Sequence, residues 1–300
     1  MQITDHSSSG ATAKSIQLAN LAFNFHHPDS PSFSYNKTQA LSPQQYRISI
    51  NPENYPSHTT SDCLLQRNGY SIHLVSSLKQ RIKATTLIKR MYASRGYQTD
   101  NACAFTNAPN QYTFEARQSQ QLIGTMTLTI DTHDKLLADT LYRTELNQFR
   151  QRNRRLCELS KLAFNSESSS KEIFASLFHI AYIFARNIHN VDDAFIEINP
   201  RHAAFYKRML GFQQIGELRT CPRVNAPAVL LHLNREYAEQ KIIAMAGQLK
   251  QKEKSIYPYF LSQNQEKEIT QRVQTKYTPT TFSPSYQSTS DYRQNHYQPA

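Results

Sequence analysis

The chain has 300 residues, a formal charge of +11 and 39% hydrophobic residues. The charge favours acidic partners, and the composition indicates one folded domain with polar ends rather than two full domains. The sequence has no apolar run of membrane-spanning length and begins without a basic and apolar leader, so we expect a soluble, cytoplasmic protein. No two histidines or cysteines stand at ligand spacing with a third partner, so we expect no metal site.

The two ends of the chain differ in composition from its middle. Residues 1–70 are rich in Ser, Asn, Pro, His and Thr without a sustained hydrophobic period, which predicts a disordered or loosely docked arm. Residues 276–300 are polar and rich in Tyr, which predicts a disordered tail. Between the two ends we expect a folded domain over 71–262, followed by a helix over 263–275.

The first half of this domain predicts a small sheet and one basic helix. Strands are expected over 70–75, 111–117 and 122–130, the last two joined as a hairpin. An amphipathic helix over 77–95 is basic on its polar side. A solvated face explains this charge, and a docking surface for an acidic partner is the alternative. Residues 136–148 predict a short helix or a loop over the sheet.

The stretch 156–212 carries the clearest pattern. Leu156–Phe164 alternates apolar and polar residues and predicts a strand. A polar loop follows, and then come a helix over 172–189, a strand over 194–199 and a helix over 201–210 that stops at Gly211. The order predicts a β-α-β-α unit. Two further strands, over 214–219 and 228–233, and a charged helix over 234–257 are expected after it.

The polar loop at 165–171 leads into the N-terminus of a predicted helix. Free backbone N–H groups and the helix dipole favour an anion there, such as the phosphate of phosphopantetheine. Because the loop lacks glycine, hydroxyl groups and charge would have to contact the phosphate. The candidates are Ser168, Ser169, Ser170 and Lys171. Any β-loop-α unit supplies such a site, so the pattern alone is a weak indication.

Several separate motifs resemble one enzyme family. Residues 199–212 (NPRHAAFYKRMLGF) resemble the signature of the GNAT superfamily of N-acetyltransferases. Residues 158–164 (ELSKLAF), 177–182 (LFHIAY), 196–202 (IEINPRH) and 220–227 (TCPRVNAP) closely resemble the long-chain N-acyl amino acid synthases. The resemblance covers roughly residues 78–262. It implies a mixed α/β (α+β) GNAT-like acyltransferase fold, with a central, mostly antiparallel twisted sheet, flanking helices and splayed central strands.

The resemblance also implies an activity. A long-chain fatty acyl group would move from the thioester of acyl carrier protein, or of acyl-CoA, to the α-amino group of an amino acid. The donor is a co-substrate carried on phosphopantetheine, and no permanently bound cofactor is expected. The implied partners are the acidic carrier protein and the amino acid, with peripheral membrane contact through the lipid product and no nucleic acid. In the related acyl-homoserine lactone synthases the central strand carries Glu-x-Ser-Arg, whereas Lys161 replaces the arginine here.

The reaction needs a base, because an ammonium must lose a proton before it can attack. Glu158 and Glu197 are the candidates, one on each neighbouring strand, and a structural ion pair is the alternative for both. Alternation puts Glu158, Ser160 and Leu162 on one face of the strand. The resemblance implies that Tyr206 is the general acid for the thiolate, with a core-packed tyrosine as the alternative.

The resemblance further implies where the substrates bind. Backbone N–H groups where the strands splay would hold the oxyanion and the carrier's arm, at Leu162, Ala163 and Phe164. The candidates for the amino-acid pocket are Ser160, Asn199, Arg201 and His202, and for Arg201 a surface position at the start of the helix is the alternative. Basic residues would dock the acidic carrier protein, and the candidates are Arg152, Arg154, Arg155 and Lys171.

Two other functions fit the same sequence. A short-chain acetyltransferase using acetyl-CoA would share the fold, so only the acyl pocket distinguishes the two enzymes. The bulky residues of the helix over 172–189 either line a long acyl tunnel or fill it. A non-catalytic basic scaffold or nucleic-acid binder would use the +11 charge. The basic residues are spread along the chain rather than gathered into a recognised nucleic-acid motif, which disfavours this alternative.

Overall fold

The computed structural model describes residues 62–67, 69–100, 108–132, 135–165, 170–248 and 254–277. Within these ranges the strands are β1 (Cys63–Arg67), β2 (Tyr70–Leu74), β3 (Gln111–Gln118), β4 (Gln121–Ile130), β5 (Leu156–Phe164), β6 (Asp193–Ile198), β7 (Gln213–Gln214), β8 (Arg219–Cys221) and β9 (Ala226–Asn234). The helices are α1 (Leu78–Ala93), α2 (Asp139–Arg150), α3 (Lys171–Tyr182), α4 (Ala203–Leu210), α5 (Arg235–Met245) and α6 (Gln263–Tyr277). A π-helical segment, Ile183–Ile188, extends α3, and 3₁₀ turns cover Pro200–His202 and Tyr257–Tyr259.

The strands form a mixed sheet in the order β1-β2-β3-β4-β5-β6-β9-β7, with β8 paired to β9. Strands β5 and β6 run parallel, and the other pairings in the described part of the chain are antiparallel. A parallel pair needs a crossover connection, and α3 with its π-helical extension supplies it. The predicted fold class, a mostly antiparallel sheet flanked by helices, is confirmed.

Strands β5 and β6 separate after three paired positions. Their register runs from Leu156 opposite Asp193 to Glu158 opposite Phe195, although β5 continues to Phe164 and β6 to Ile198. The two strands therefore diverge toward their carboxyl ends and open the middle of the sheet. This is the predicted splay.

A β-bulge in β5 marks the same place. The register with β4 passes from Ser160 opposite Thr127 to Ala163 opposite Thr125, so three residues of β5 span two of β4. Lys161 has a positive φ of 52°. Since one extra residue reverses the alternation, Ala163 rather than Leu162 shares a face with Glu158. The predicted placement of Leu162 on that face is wrong.

Helices cover both faces of the sheet. On one face, α2 packs on Leu156 and Phe195, and α1 packs on Ala163. On the other face, α3 to α6 contribute to the main hydrophobic core. Helix α1 begins in a capping box, since the Ser77 Oγ accepts from the Gln80 N–H and the Gln80 Oε1 accepts from the Ser77 N–H.

Several predicted boundaries need correction. Cys63–Arg67 was placed in the N-terminal arm but pairs with β2 as β1. The helix predicted over 234–257 ends at Met245, and Gly247 then has a φ of 75°. The strand predicted over 214–219 is divided between β7 and β8. Residues 1–61 and 68 of the predicted arm, and the tail beyond residue 277, lie outside the described residues. Within the described ranges, no helix combines the length and apolar character needed to cross a bilayer.

Candidate active site

A cavity of about 180 Å³ opens where β5 and β6 diverge. Both strands line it, together with the end of α1, helix α4, and the turn between β8 and β9. Because it passes between separated strands, it is reached from both faces of the sheet. The predicted site residues that line it are Glu158, Ser160, Leu162, Ala163, Glu197, Asn199, His202 and Tyr206.

Glu158 lies on the face of the sheet that α2 covers, since Leu156, two residues earlier, packs in the α2 cluster. The side chain is 1% exposed, and its Oε2 accepts a hydrogen bond from the Ala138 N–H at 3.1 Å. Burial, opposed by the Ala138 N–H and assisted by the nearby Glu197 carboxylate, raises the pKa of Glu158 to about 7. A carboxyl group that titrates near neutral pH suits a general base.

Glu197 projects from β6 toward the same face but has a different environment. Its Oε1 accepts from Arg223 Nη2 at 2.6 Å, and the Arg223 Nη1 donates to the Leu137 carbonyl at 2.8 Å. Its Oε2 is buried without a hydrogen-bond partner among the described residues. The ion pair that the sequence kept as an alternative therefore exists for Glu197. Glu158 forms no salt bridge with any described residue, so the two carboxylates are distinguished by their partners.

Tyr206 reaches the cavity from the opposite face of the sheet. It lies on α4 and is 9% exposed, and its ring centroid is 6.4 Å from Phe178 and 6.1 Å from Phe212. Burial raises the pKa of its hydroxyl, with a smaller contribution from Tyr92. The hydroxyl is thus protonated at neutral pH and able to donate. Its position fits both predicted roles, since it lines the cavity and also packs in the core.

The bulge places backbone groups beside the cavity. Ala163 and Phe164 are in register with Thr125 and Gly124, whereas Leu162 is skipped in the register with β4. Pairing with β6 has already ended at Glu158. Of the three predicted oxyanion positions, Leu162 is therefore the one in register with neither neighbouring strand, and its N–H group is the best placed to donate to a new partner.

The predicted phosphate loop is only partly described. Ser168 and Ser169 lie outside the described residues. The Ser170 Oγ accepts from the Ile173 N–H at 3.1 Å and caps α3, and Lys171 Nζ lies 4.7 Å from the centre of the Tyr259 ring. Neither side chain is among the described residues that line the cavity.

Three of the four residues predicted for the amino-acid pocket line the cavity. The Ser160 Oγ is buried without a hydrogen-bond partner among the described residues. The Asn199 Oδ1 accepts from the N–H and the Nε of Arg201, which itself is exposed and donates to the Tyr97 hydroxyl at 3.1 Å. Burial, and then the charges of Arg201 and Arg95, lower the pKa of His202 to about 4, so its ring is neutral. Arg201 does not itself line the cavity.

The predicted docking arginines lie elsewhere. Arg154 is ion-paired with Asp193 at the start of β6, and Arg152 and Arg155 are exposed beside it. This is the start of β5, six residues or about 20 Å of strand from the bulge. Lys171, by contrast, follows the other end of β5. The structure therefore does not bring these arginines together with Lys171.

Some residues of the site were not predicted as site residues. Arg223 lies within the motif 220–227 but was not assigned a role, because a single arginine in a turn has no signature. Arg95 and Tyr97, just after α1, also line the cavity. So does Cys221, a free thiol whose pKa burial and Glu197 raise to about 11. In the described part of the chain, no three His, Cys, Asp or Glu side chains are grouped to hold a metal ion.

A second, almost wholly apolar cavity of about 70 Å³ adjoins the first. It lies between β5, the α3 helix with its π-helical extension, and α5. Leu159 and Phe178 line both cavities, so the two share a wall. The apolar residues that line the second cavity include Ala181, Tyr182, Leu233, Ala238, Ile242, Tyr257 and Phe260.

Comparison with known proteins identifies similar enzymes. Residues 83–234 match the sequence model of the family described as N-acyl amino acid synthase FeeM. The solved structure of FeeM, an N-acyl amino acid synthase from uncultured soil microbes, is 28% identical with a TM-score of 0.53, and the match covers 57% of this chain and 94% of that one.

Solved structures of lower sequence identity are also similar to the chain. An apo form of FdhC, a nucleotide-linked sugar GNAT, is 14% identical with a TM-score of 0.39, and the match covers 60% of this chain and 94% of that one. An acyl-CoA N-acyltransferase from Pseudomonas aeruginosa is 14% identical with a TM-score of 0.38, over 54% of this chain and 97% of that one. No curated protein matches the chain.

Proposed function

Because the chain belongs to the FeeM family of N-acyl amino acid synthases and is therefore an N-acyltransferase, we propose that it moves a long-chain fatty acyl group from acyl carrier protein to the α-amino group of an amino acid. One observation carries this proposal. A cavity that contains a buried carboxyl group with a pKa near 7 shares a wall with an apolar cavity. The first suits amine activation, and the second suits an acyl tail.

We assign the steps of the reaction to residues of the first cavity. Glu158 takes a proton from the substrate ammonium, and the amine nitrogen attacks the thioester carbonyl carbon. The Leu162 N–H at the bulge donates to the oxyanion that forms. The tetrahedral intermediate then expels the thiolate as the C–S bond breaks, and Tyr206 protonates the sulfur. The second proton on the attacking nitrogen passes to the Tyr206 oxygen and restores the hydroxyl, and Glu158 releases its proton to solvent. The products are an amide and a free thiol on the donor.

The second cavity supports the preference for a long chain. Its lining is apolar, so each methylene buried there contributes about 0.8 kcal/mol to binding. An acetyl group ends before Leu159 and Phe178 and gains nothing from this cavity. A fatty chain that passes these two residues gains binding free energy from the cavity, and this gain increases with the length of the chain.

The polar end of the first cavity supports binding of an amino acid. Ser160, Asn199 and His202 offer polar groups near the carboxylates, and Arg201 lies beside them next to Tyr97. Together they are proposed to bind the α-carboxylate and place the α-amino group near Glu158. In this proposal the donor is a carrier-protein thioester, so the enzyme acts in the cytoplasm, where its lipid product would also bring it into contact with membranes.

A donor competition tests the function. The purified full chain is incubated with hexadecanoyl acyl carrier protein, hexadecanoyl-CoA or acetyl-CoA, each with a mixture of the twenty amino acids, and the products are identified by mass spectrometry. We expect N-hexadecanoyl amino acids, formed fastest from the carrier protein. N-acetyl products alone would contradict the proposal in favour of a short-chain acetyltransferase. No product from any donor would favour a non-catalytic protein.

A further inference from the structure

The outer face of α1 takes no part in the site described above. Leu78 and Ile82 are large apolar residues one helical turn apart, and they are 64% and 58% exposed. Exposed basic side chains surround them on the same helix, namely Lys79, Lys83, Lys89 and Arg90. We call these six residues the α1 stripe.

The position of α1 relates this stripe to the active site. The inner face of the helix packs Leu87 and Ile88 against Ala163, just beyond the bulge of β5. Two residues near its carboxyl end, Met91 and Tyr92, line the first cavity. The α1 stripe therefore lies on the outside of the same helix whose end borders the opening between β5 and β6.

The charge of the stripe is uniformly positive. The sequence of α1 contains no Asp or Glu. The nearby Glu115 is 1% exposed and ion-paired with Arg117, so it offers no negative charge at the surface. A surface with two apolar side chains surrounded by cationic side chains is complementary to an amphipathic helix whose polar residues are acidic.

We propose that the α1 stripe is the docking surface for acyl carrier protein. This inference rests on the proposed function, because a carrier protein must be the acyl donor for the surface to be used. An acidic helix of the carrier lies along α1, with its apolar residues on Leu78 and Ile82. The carrier is then beside the opening where its thioester must enter. The exposed arginines at the start of β5 lie about 20 Å of strand away from the bulge and are not part of this surface.

Charge reversal on two matched surfaces tests the proposal. Lys79→Glu/Lys89→Glu changes the α1 stripe, and Arg152→Glu/Arg155→Glu makes the same change of charge at exposed positions at the start of β5. For each variant, kcat/KM is measured with hexadecanoyl acyl carrier protein and with S-hexadecanoyl pantetheine, which has no carrier protein. We expect the kcat/KM of the α1 variant to fall at least tenfold with the carrier, because KM rises, and less than twofold with the pantetheine donor. The control variant should change less than twofold with both.

A second variant makes the result independent of charge. Ile82→Ser removes one apolar contact at an exposed position, so the fold is not disturbed, and we expect a three- to tenfold increase in KM for the carrier alone. Raising the salt concentration should also raise the KM of the wild-type enzyme for the carrier, and it should raise the KM of the α1 variant less.

Other outcomes overturn the inference in distinct ways. If the carrier is used but the α1 variants match the control, the surface is wrong while the proposed function stands. If the wild-type enzyme accepts the pantetheine donor but not the carrier, both the proposed donor and the proposed docking surface are wrong. If the α1 variants lose binding to vesicles of anionic phospholipid but keep their KM for the carrier, the stripe binds membranes instead.

Discussion

The Nη2 atom of Arg223 lies 2.6 Å from the Oε1 atom of Glu197. The same guanidinium donates to the Leu137 carbonyl, and the neighbouring Ala138 N–H donates to Glu158. Arg223 thus joins the turn between β8 and β9 to β6 and to the segment before α2. It neutralises one of the two buried carboxylates and fixes the backbone that binds the other.

Removal of this guanidinium should destabilise the fold. In Arg223→Met, Glu197 is left buried without its charge partner, a change that costs several kcal/mol at fully buried sites. Because the Arg223 side chain is 22% exposed, we expect a smaller loss in the free energy of unfolding, about 1–3 kcal/mol. Urea denaturation measures it. The double variant Arg223→Met/Glu197→Gln should recover most of the loss, and purely additive losses would contradict the pairing.

Burial of Glu158 should make stability depend on pH. The folded-state pKa is about 7 against an ordinary value of 4.5, so the folded protein retains a proton that the unfolded chain has released. Between these values the unfolded state binds fewer protons, and the wild-type free energy of unfolding falls as pH rises. The full difference is about 3 kcal/mol. Glu158→Gln lacks this dependence, so its stability relative to wild type should increase from pH 4.5 to pH 8. If the free energy of unfolding had the same pH dependence in both proteins, the pKa of Glu158 would not be shifted in the folded state.

The hydroxyl group of Tyr206 can be tested apart from its ring. Tyr206→Phe keeps the packing against Phe178 and Phe212, so we expect the melting temperature to change little. If the hydroxyl protonates the leaving thiolate, the rate of a single turnover should fall about 100-fold. A variant that retains the wild-type rate would assign Tyr206 to the core alone.

The second cavity should control acyl chain length. Ala238 is 4% exposed on α5 and lines this cavity, so Ala238→Phe fills space that an acyl tail would occupy. Each methylene excluded should cost about 0.8 kcal/mol, or roughly fourfold in kcat/KM. We expect the ratio of hexadecanoyl to octanoyl transfer to fall by at least tenfold. Ala244→Phe, at an exposed position on the same helix, is the matched control. An unchanged ratio in Ala238→Phe would place the tail elsewhere.

The sequence predicted those features that depend on local pattern. The alternation of Leu156–Phe164 predicted β5, and its first half correctly placed Glu158 and Ser160 on one face. The motif resemblance predicted the family and the splayed strands. The bulge was not predictable from pattern, because neither Gly nor Pro marks Lys161 and its cause is the register with β4.

The remaining errors share a physical origin. Strand β1 is short and polar at its ends, and pairing with β2 rather than its own pattern makes it a strand. Arg223 reaches Glu197 only because the turn between β8 and β9 brings the chain back to β6. The spacing of residues in the sequence does not reveal this tertiary contact. The docking arginines were grouped with Lys171 because they flank β5 in sequence, whereas the length of the strand separates them in space.

The pH dependence of the chemical step tests the central claim most directly. In single turnovers with saturating amino acid, the rate of amide formation by the wild-type enzyme should rise with pH and level off, with a midpoint near pH 7, because Glu158 must be ionised to accept the proton. Glu158→Gln should react at least 100-fold more slowly and lack this midpoint. A Glu158→Gln enzyme with the wild-type rate and the same midpoint would show that another group is the base, and the account of this site would be wrong.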